Sequence, residues 1–169
     1  MSVLKILQYP NSQLRCIAQP VSIITKEIKT FTYNMLDTMY ENEGIGLAAT
    51  QVNVQLQIVV ISKENFKQDH LILINPKIIE KKGNVSIQEG CLSIPEYRDF
   101  VPRSDYIKVK ATNLFGKEIE IEAKSILSIC IQHEIDHLKG ILFIDYLSSL
   151  KKERIKKKFQ KKIKYLKRI

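Results

Sequence analysis

Ile126-Leu127-Ser128-Ile129-Cys130-Ile131-Gln132-His133-Glu134-Ile135-Asp136-His137-Leu138-Lys139-Gly140 is the stretch on which the reading of this chain turns. Ile126, Ile129, Cys130, His133 and His137 recur at helical spacing on one broad face, and Gly140 is a natural stop. The pattern predicts a buried helix over residues 126–139. Two of the chain's three histidines stand four apart on it. On a helix that is about 40° around the axis, so both imidazoles share a face. Glu134 lies about 60° from His137 by the same geometry, within reach of a water on an ion that the histidines hold. This is H-E-x-x-H, a metal-hydrolase arrangement that proposes ligands, a base and a reaction class together. A surface helix with coincidental spacing is the alternative, and the pentapeptide alone does not decide.

Working outward, residues 25–42 carry Ile28, Phe31, Met35, Leu36 and Met39 at helical spacing, with Thr25 as N-cap and Gly44 just past the end. Short β-rich runs follow at residues 58–61 and 71–74, the second stopping at Asn75-Pro76. Residues 107–111 and 118–123 alternate around a turn and read as a hairpin. From about Ser149 a third helix is expected, with Ile155, Phe159, Ile163 and Leu166 as a narrow apolar stripe among lysines whose stems can cover neighbouring apolar surface. The fold class expected is α+β: antiparallel sheets packed around a central metal-binding helix, ending in a basic helix. Residues 1–148 form the expected catalytic domain, and 149–169 an extension of it.

At 169 residues, 44% hydrophobic and 27% charged, the chain fits one globular domain with a substantial core. No window approaches the roughly 18 apolar residues of a membrane span, and the N-terminus lacks a signal core. No membrane partner and a cytoplasmic location are expected. Three cysteines, Cys16, Cys91 and Cys130, argue against a disulfide framework. The net charge of +9 sits in the tail: residues 151–169 hold eleven Lys or Arg and one acid, leaving the other 150 at −1.

Two histidines do not complete a catalytic metal site, which ordinarily has three protein ligands and one open position. The third could be Asp, Glu, His or Cys. The better candidate is Cys91, in Gln88-Glu89-Gly90-Cys91-Leu92-Ser93, a segment read as a loop bounded by Gly90 and Pro95. A thiolate with two imidazoles suits Zn²⁺ or Fe²⁺. Cys16 and Cys130 read as buried small hydrophobes, the usual fate of a free cysteine. In Gly44-Ile45-Gly46-Leu47-Ala48-Ala49-Thr50-Gln51, small residues permit close approach to a ligand, and Gln51 can donate an N–H to a developing oxyanion. A plain helix-to-strand connector is the alternative there.

Taken together, Gly-Ile-Gly-Leu-Ala-Ala-Thr-Gln (44–51), Glu-Gly-Cys-Leu-Ser (89–93) and Gln-His-Glu-Ile-Asp-His (132–137) resemble, in order and spacing, the three signature motifs of peptide deformylases. The resemblance runs from Ser2 to the basic tail, through Leu73-Ile74-Asn75-Pro76 and Val101-Pro102-Arg103, and is to the bacterial form with a C-terminal helical extension. It implies that Cys91, His133 and His137 bind one divalent metal ion, Fe²⁺ in the cell, with Zn²⁺ or Ni²⁺ also compatible. It implies Glu134 as general base and acid, and Gln51 with the backbone N–H of Leu92 as stabilisers of the oxyanion. Gly46 would pair its backbone with the substrate, and Arg98 lies near the substrate backbone. The implied reaction is hydrolysis of nascent N-formyl-methionyl peptides to formate and a free amine.

A formyl group has no side chain, so selection falls on the methionine, whose flexible thioether needs an apolar slot. Ile129 and Cys130, one turn before His133, are candidates to line it, with Ile45 and Ile87. Asp136 and Arg103 are candidates for holding the ligand helix, an ion pair without that role being the alternative. The resemblance also implies that the basic tail docks on the ribosome, through ribosomal RNA phosphates. Two competitors are a metallopeptidase of H-E-x-x-H type, which gives no reason for Cys91 or Gln51, and a nucleic-acid or ribosome-binding module with a structural metal. A structural site needs four protein ligands, and three are on offer.

Overall fold

Two antiparallel sheets flank one buried helix in the computed structural model, which describes residues 2–63 and 69–166, apart from the side chains of 162–164 and 166. The elements run α1 (Lys26–Glu41), β1 (Gly46–Ala48), β2 (Ile58–Ser62), β3 (His70–Lys82), β4 (Val85–Cys91), β5 (Ile94–Arg103), β6 (Tyr106–Thr112), β7 (Glu118–Lys124), α2 (Ser125–Leu138) and α3 (Ser149–Leu166). The larger sheet has the order β1-β2-β3-β6-β7; β4 and β5 form a separate hairpin sheet. The α+β class expected from the sequence is the architecture observed.

The run Ile58-Val59-Val60-Ile61 explains how the layers join. Successive side chains of a strand point to opposite faces, and all four are fully buried. Val59 and Ile61 face α2, packing with Ile131, Ile135 and Leu138. Ile58 and Val60 face α1, packing with Met35, Leu36 and Met39. A strand covered on both sides reads as a continuous apolar run rather than an alternating one. The third cluster joins Ile94 and Val101 of the small sheet to Leu142, Phe143, Ile144, Leu147 and, from α3, Ile155 and Phe159.

Helix ends follow local chemistry. Thr25 caps α1, its side chain accepting from the Ile28 N–H at 3.4 Å. Gly140 follows α2 with φ +71°, and a Cβ there would lie 2.4 Å from the Arg15 carbonyl oxygen, so both backbone and space demand glycine. Arg15 closes this end, forming a two-point ion pair with Asp145 and donating to the Gly140 carbonyl at 3.1 Å.

Five expectations are corrected. The strand expected to stop at Asn75-Pro76 runs on to Lys82, because a register shift between Ile74 and Lys77 removes Pro76 from the hydrogen-bond ladder. Residues 46–48, read as a possible connector, pair with β2 as an edge strand. Cys91 ends strand β4 instead of lying in a loop: β4 and β5 pair from Val85↔Arg103 to Gly90↔Arg98, and after a register shift Cys91 pairs with Ile94. Ile126 is 67% exposed, since α2 is buried from Ser128 onward and its first turn protrudes. Cys16 is half-buried, following a short 3-10 turn at the surface. In α3 Ile155 and Phe159 are buried as expected, while the side chains of Ile163 and Leu166 lie outside the described residues. No helix among the described residues is long and apolar enough to cross a membrane.

Candidate active site and metal centre

The end of β4 and the second half of α2 meet so that Cys91, His133 and His137 offer ligand atoms all within 4.8 Å of one another. Cys91 Sγ lies 3.2 Å from His137 Nε2, and His137 Nε2 lies 3.2 Å from His133 Nε2. His133 Nδ1 is bonded to Glu89 Oε2 at 2.8 Å, which fixes its proton there and leaves Nε2 aimed at the cluster. Without a cation, burial disfavours charge on both rings. For His133 the contacts with Cys91 and Glu89 outweigh burial and hold its pKa well above the usual value. For His137 burial and the neighbouring His133 push the pKa well below. A soft thiolate with two imidazoles is a donor set that fits a divalent ion.

Glu134 follows His133 on α2 and is almost wholly buried. Burial raises its pKa to about 7, with the Glu89 and Asp136 charges adding to the shift and His133 and Arg103 opposing it. Its Oε2 is buried with no hydrogen-bond partner among the described residues. Edge strand β1 presses on the same carboxyl. A Cβ on Gly46 would lie 2.4 Å from Glu134 Oε1 and 2.8 Å from Cys130 Sγ, so only glycine lets this backbone pass. A carboxyl balanced near neutrality can both take and return a proton.

Gln51 sits in the 3-10 turn after β1. Its Oε1 accepts from the Ala48 N–H at 2.8 Å, and its Nε2 donates to Ser93 Oγ at 3.1 Å with Cys91 Sγ at 3.5 Å. Gln51, Cys91, His133 and His137 therefore converge on one small volume, and Glu134 follows His133 on α2 beside it. Leu92 follows Cys91 directly, its side chain packed toward Gly44.

The apolar residues expected to line a substrate slot divide. Ile129 and Cys130 are buried on α2, the Cys130 thiol donating to the Ile45 carbonyl at 3.5 Å. Ile45 and Ile87 are 49% and 36% exposed. Arg98 pairs with Gly90 across the hairpin, and a Cβ on Gly90 would meet Arg98 at 3.3 Å, so this arginine lies flat over the residue before Cys91.

Behind His133 stands a network that the sequence shows only in part. Arg103 donates through Nε to Glu89 Oε1 at 2.6 Å and through a terminal nitrogen to Glu89 Oε2 at 3.0 Å, while its other terminal nitrogen bonds Asp136 at 2.5 Å. Tyr146 donates to Asp136 at 2.8 Å and packs its ring over the guanidinium. Arg103 and Asp136 are the two residues that the sequence offers as supports of the ligand helix. Glu89, which links them to His133, enters the sequence reading only as part of a motif. The one signal for it is its place two residues before Cys91, which puts it on the same strand. Phe143 stacks on His133 with no sequence signal, and the Thr50 hydroxyl donates to the His137 carbonyl at 3.2 Å, Thr50 entering the sequence reading only as part of a motif.

The family model described as polypeptide deformylase matches residues 3–153. The peptide deformylase of Buchnera aphidicola subsp. Schizaphis graminum (strain Sg) is 71% identical over 161 residues, 95% of this chain and 96% of that protein. That of Buchnera aphidicola subsp. Acyrthosiphon pisum (strain Tuc7) is 65% identical over 161 residues, 95% and 93% of the two chains. Among solved structures, a peptide deformylase from Legionella pneumophila superposes with a TM-score of 0.92 at 40% identity, covering 99% of each chain. One from Ehrlichia chaffeensis, solved with actinonin, gives a TM-score of 0.89 at 37% identity, covering 96% and 98%.

Proposed function

The chain belongs to the peptide deformylase family, and on that premise we propose how its own residues share the hydrolysis of the formyl group from the N-terminal formyl-methionine of polypeptides. Cys91, His133 and His137 hold one divalent metal ion, Fe²⁺ in the cell. That ion, when bound, supplies a Lewis acid and makes hydroxide accessible near neutral pH. Glu134 takes the proton from the attacking water and delivers it to the amine as the C–N bond breaks, and formate leaves with the added oxygen. Gln51 Nε2 and the Leu92 backbone N–H donate to the formyl oxygen as charge develops on it.

Gly46 offers its backbone to the peptide, and Arg98 lies over the path of the chain that follows. Ile129 and Cys130 form the inner wall of the methionine slot, with Ile45 and Ile87 at its rim. Residues 1–148 are the catalytic unit and 149–169 an extension of it, described as helix over Ser149–Leu166. The exposed lysines Lys156, Lys157 and Lys161 of α3 are suited to ribosomal RNA phosphates. This work on nascent chains belongs in the cytoplasm.

The observation that carries the proposal is the gathering of one thiol, two imidazoles and a side-chain amide at one point, with the buried Glu134 carboxyl beside them on α2. Purification without oxygen, metal analysis and formate release from a formyl-Met peptide on the same sample test it. Iron-loaded protein is expected to release formate and to leave unformylated peptides intact. Cleavage of internal peptide bonds would instead favour a metallopeptidase.

A further inference from the structure

Ser93 is fully buried two residues after Cys91, and its hydroxyl oxygen accepts the Gln51 Nε2 hydrogen bond at 3.1 Å. We propose that Ser93 is a positioning residue for deformylation, holding one amide hydrogen of Gln51 so that the other is delivered to the formyl oxygen. The inference rests on the deformylase reading above.

The argument is one of rotational freedom. A glutamine amide is planar, with one acceptor and two donor directions in that plane. The Ala48 N–H bond to Oε1 sets which end faces the site but leaves the amide able to pivot about that contact. A second tie, from Nε2 to Ser93, fixes the plane. One hydrogen then remains, on the side of the cluster where Cys91 Sγ stands 3.5 Å away. Lose the Ser93 oxygen, and that sulfur becomes the nearest acceptor left to the amide, drawing the donor away from substrate.

The backbones of the two loops are tied independently of the hydroxyl. In the extended N-terminal segment, the Leu7 N–H donates to the Gln51 carbonyl at 2.7 Å and the Tyr9 N–H to the Ser93 carbonyl at 2.8 Å. That segment sets the spacing between the loops, and the Ser93 side chain sets only the aim of Gln51. Ser93→Ala therefore removes the aim and leaves the frame.

Removing a whole oxyanion donor costs about 10²–10³ in kcat, and misaiming one should cost less. For zinc- or iron-loaded full-length protein on a formyl-Met peptide, Ser93→Ala is expected to lower kcat about tenfold. KM and metal content should be essentially unchanged. In the Gln51→Ala background the same substitution should have no further effect, and Ser93→Thr should recover most of the loss. In side-chain amide NMR of the zinc-loaded protein, one Gln51 hydrogen should turn fast-exchanging in Ser93→Ala. Wild-type kcat in Ser93→Ala, an equal loss in the Gln51→Ala background, or kcat falling in step with metal content each overturns the proposal. Wild-type protein that releases no formate overturns the deformylase reading itself.

Discussion

Replacing Glu89 by glutamine removes one negative charge from between His133 and Arg103 while keeping the shape. Burial disfavours the Glu89 carboxylate, yet His133 and Arg103 together outweigh this and keep its pKa below the usual value. Two costs follow. The first is at the metal: a neutral amide is a poorer partner for the His133 Nδ1–H, and loss of such a partner typically costs about 10–100-fold in metal affinity. The second is in the fold: Arg103, 5% exposed, loses one of two carboxylates. Breaking a buried pair costs about 3–5 kcal/mol. Asp136 still holds the guanidinium at 2.5 Å and the glutamine oxygen can accept one N–H, so the lower end, about 3 kcal/mol, is expected. In a chain of this size that is a fall in Tm of about 6–12 °C. Chelator competition reads the first term and thermal unfolding of the metal-free protein reads the second. A Glu89→Gln protein with wild-type metal affinity and wild-type Tm would refute the account of Glu89 as the link between ligand and ion pair.

Glu134→Gln should keep its metal while turnover on a formyl-Met peptide falls about 10²–10⁴-fold; loss of metal instead would move Glu134 to a structural role. Burial pushes the Asp145 carboxyl up, but Arg15 and the Leu142 N–H outweigh it and hold its pKa below the usual value. A depressed folded pKa stabilises above the unfolded value and loses that stability as pH falls through the folded one. Asp145→Asn should therefore flatten the decline in stability below about pH 4, measured by urea unfolding across pH. Ile155→Ala leaves a cavity where α3 meets the small sheet and should cost about 2–5 kcal/mol, so truncation of the helix is a poor test of its surface. Replacing Lys156, Lys157 and Lys161 by glutamine should spare peptide turnover and lower the salt dependence of ribosome co-sedimentation, by about 0.9 in log–log slope for each phosphate no longer neutralised. An unchanged slope would count against RNA as the partner.

Periodicity makes the helices legible, since α1 and α2 each bury enough residues to show a 3.6-residue rhythm. It fails where two-sided burial or a register shift hides the strands. The three residues of β1 are too few to show alternation, and β3 crosses Asn75-Pro76 by a register shift that a propensity rule reads as a stop. Cys91, His133 and His137 stand out because their side-chain types are rare in this chain and chemically suited to a cation. Glu89, Ser93 and Phe143 do not, because an acid, a hydroxyl and an aromatic are common and become informative only when a partner from a distant segment is seen beside them. Glu89 pairs with His133 and Ser93 with Gln51 across 44 and 42 positions, and Phe143 reaches His133 from beyond the end of α2.

Helix α3 meets the catalytic body through the buried pair Ile155 and Phe159, one turn apart, while its other described side chains point largely outward. Such a helix is held by two apolar side chains, to which Lys151 and Lys158 add ion pairs with Asp99 and Glu96. Its charge can drift over generations without disturbing the chemistry behind it. A lineage could thus retune the surface charge of this enzyme by editing exposed lysines, keeping the hydrolytic machinery unaltered.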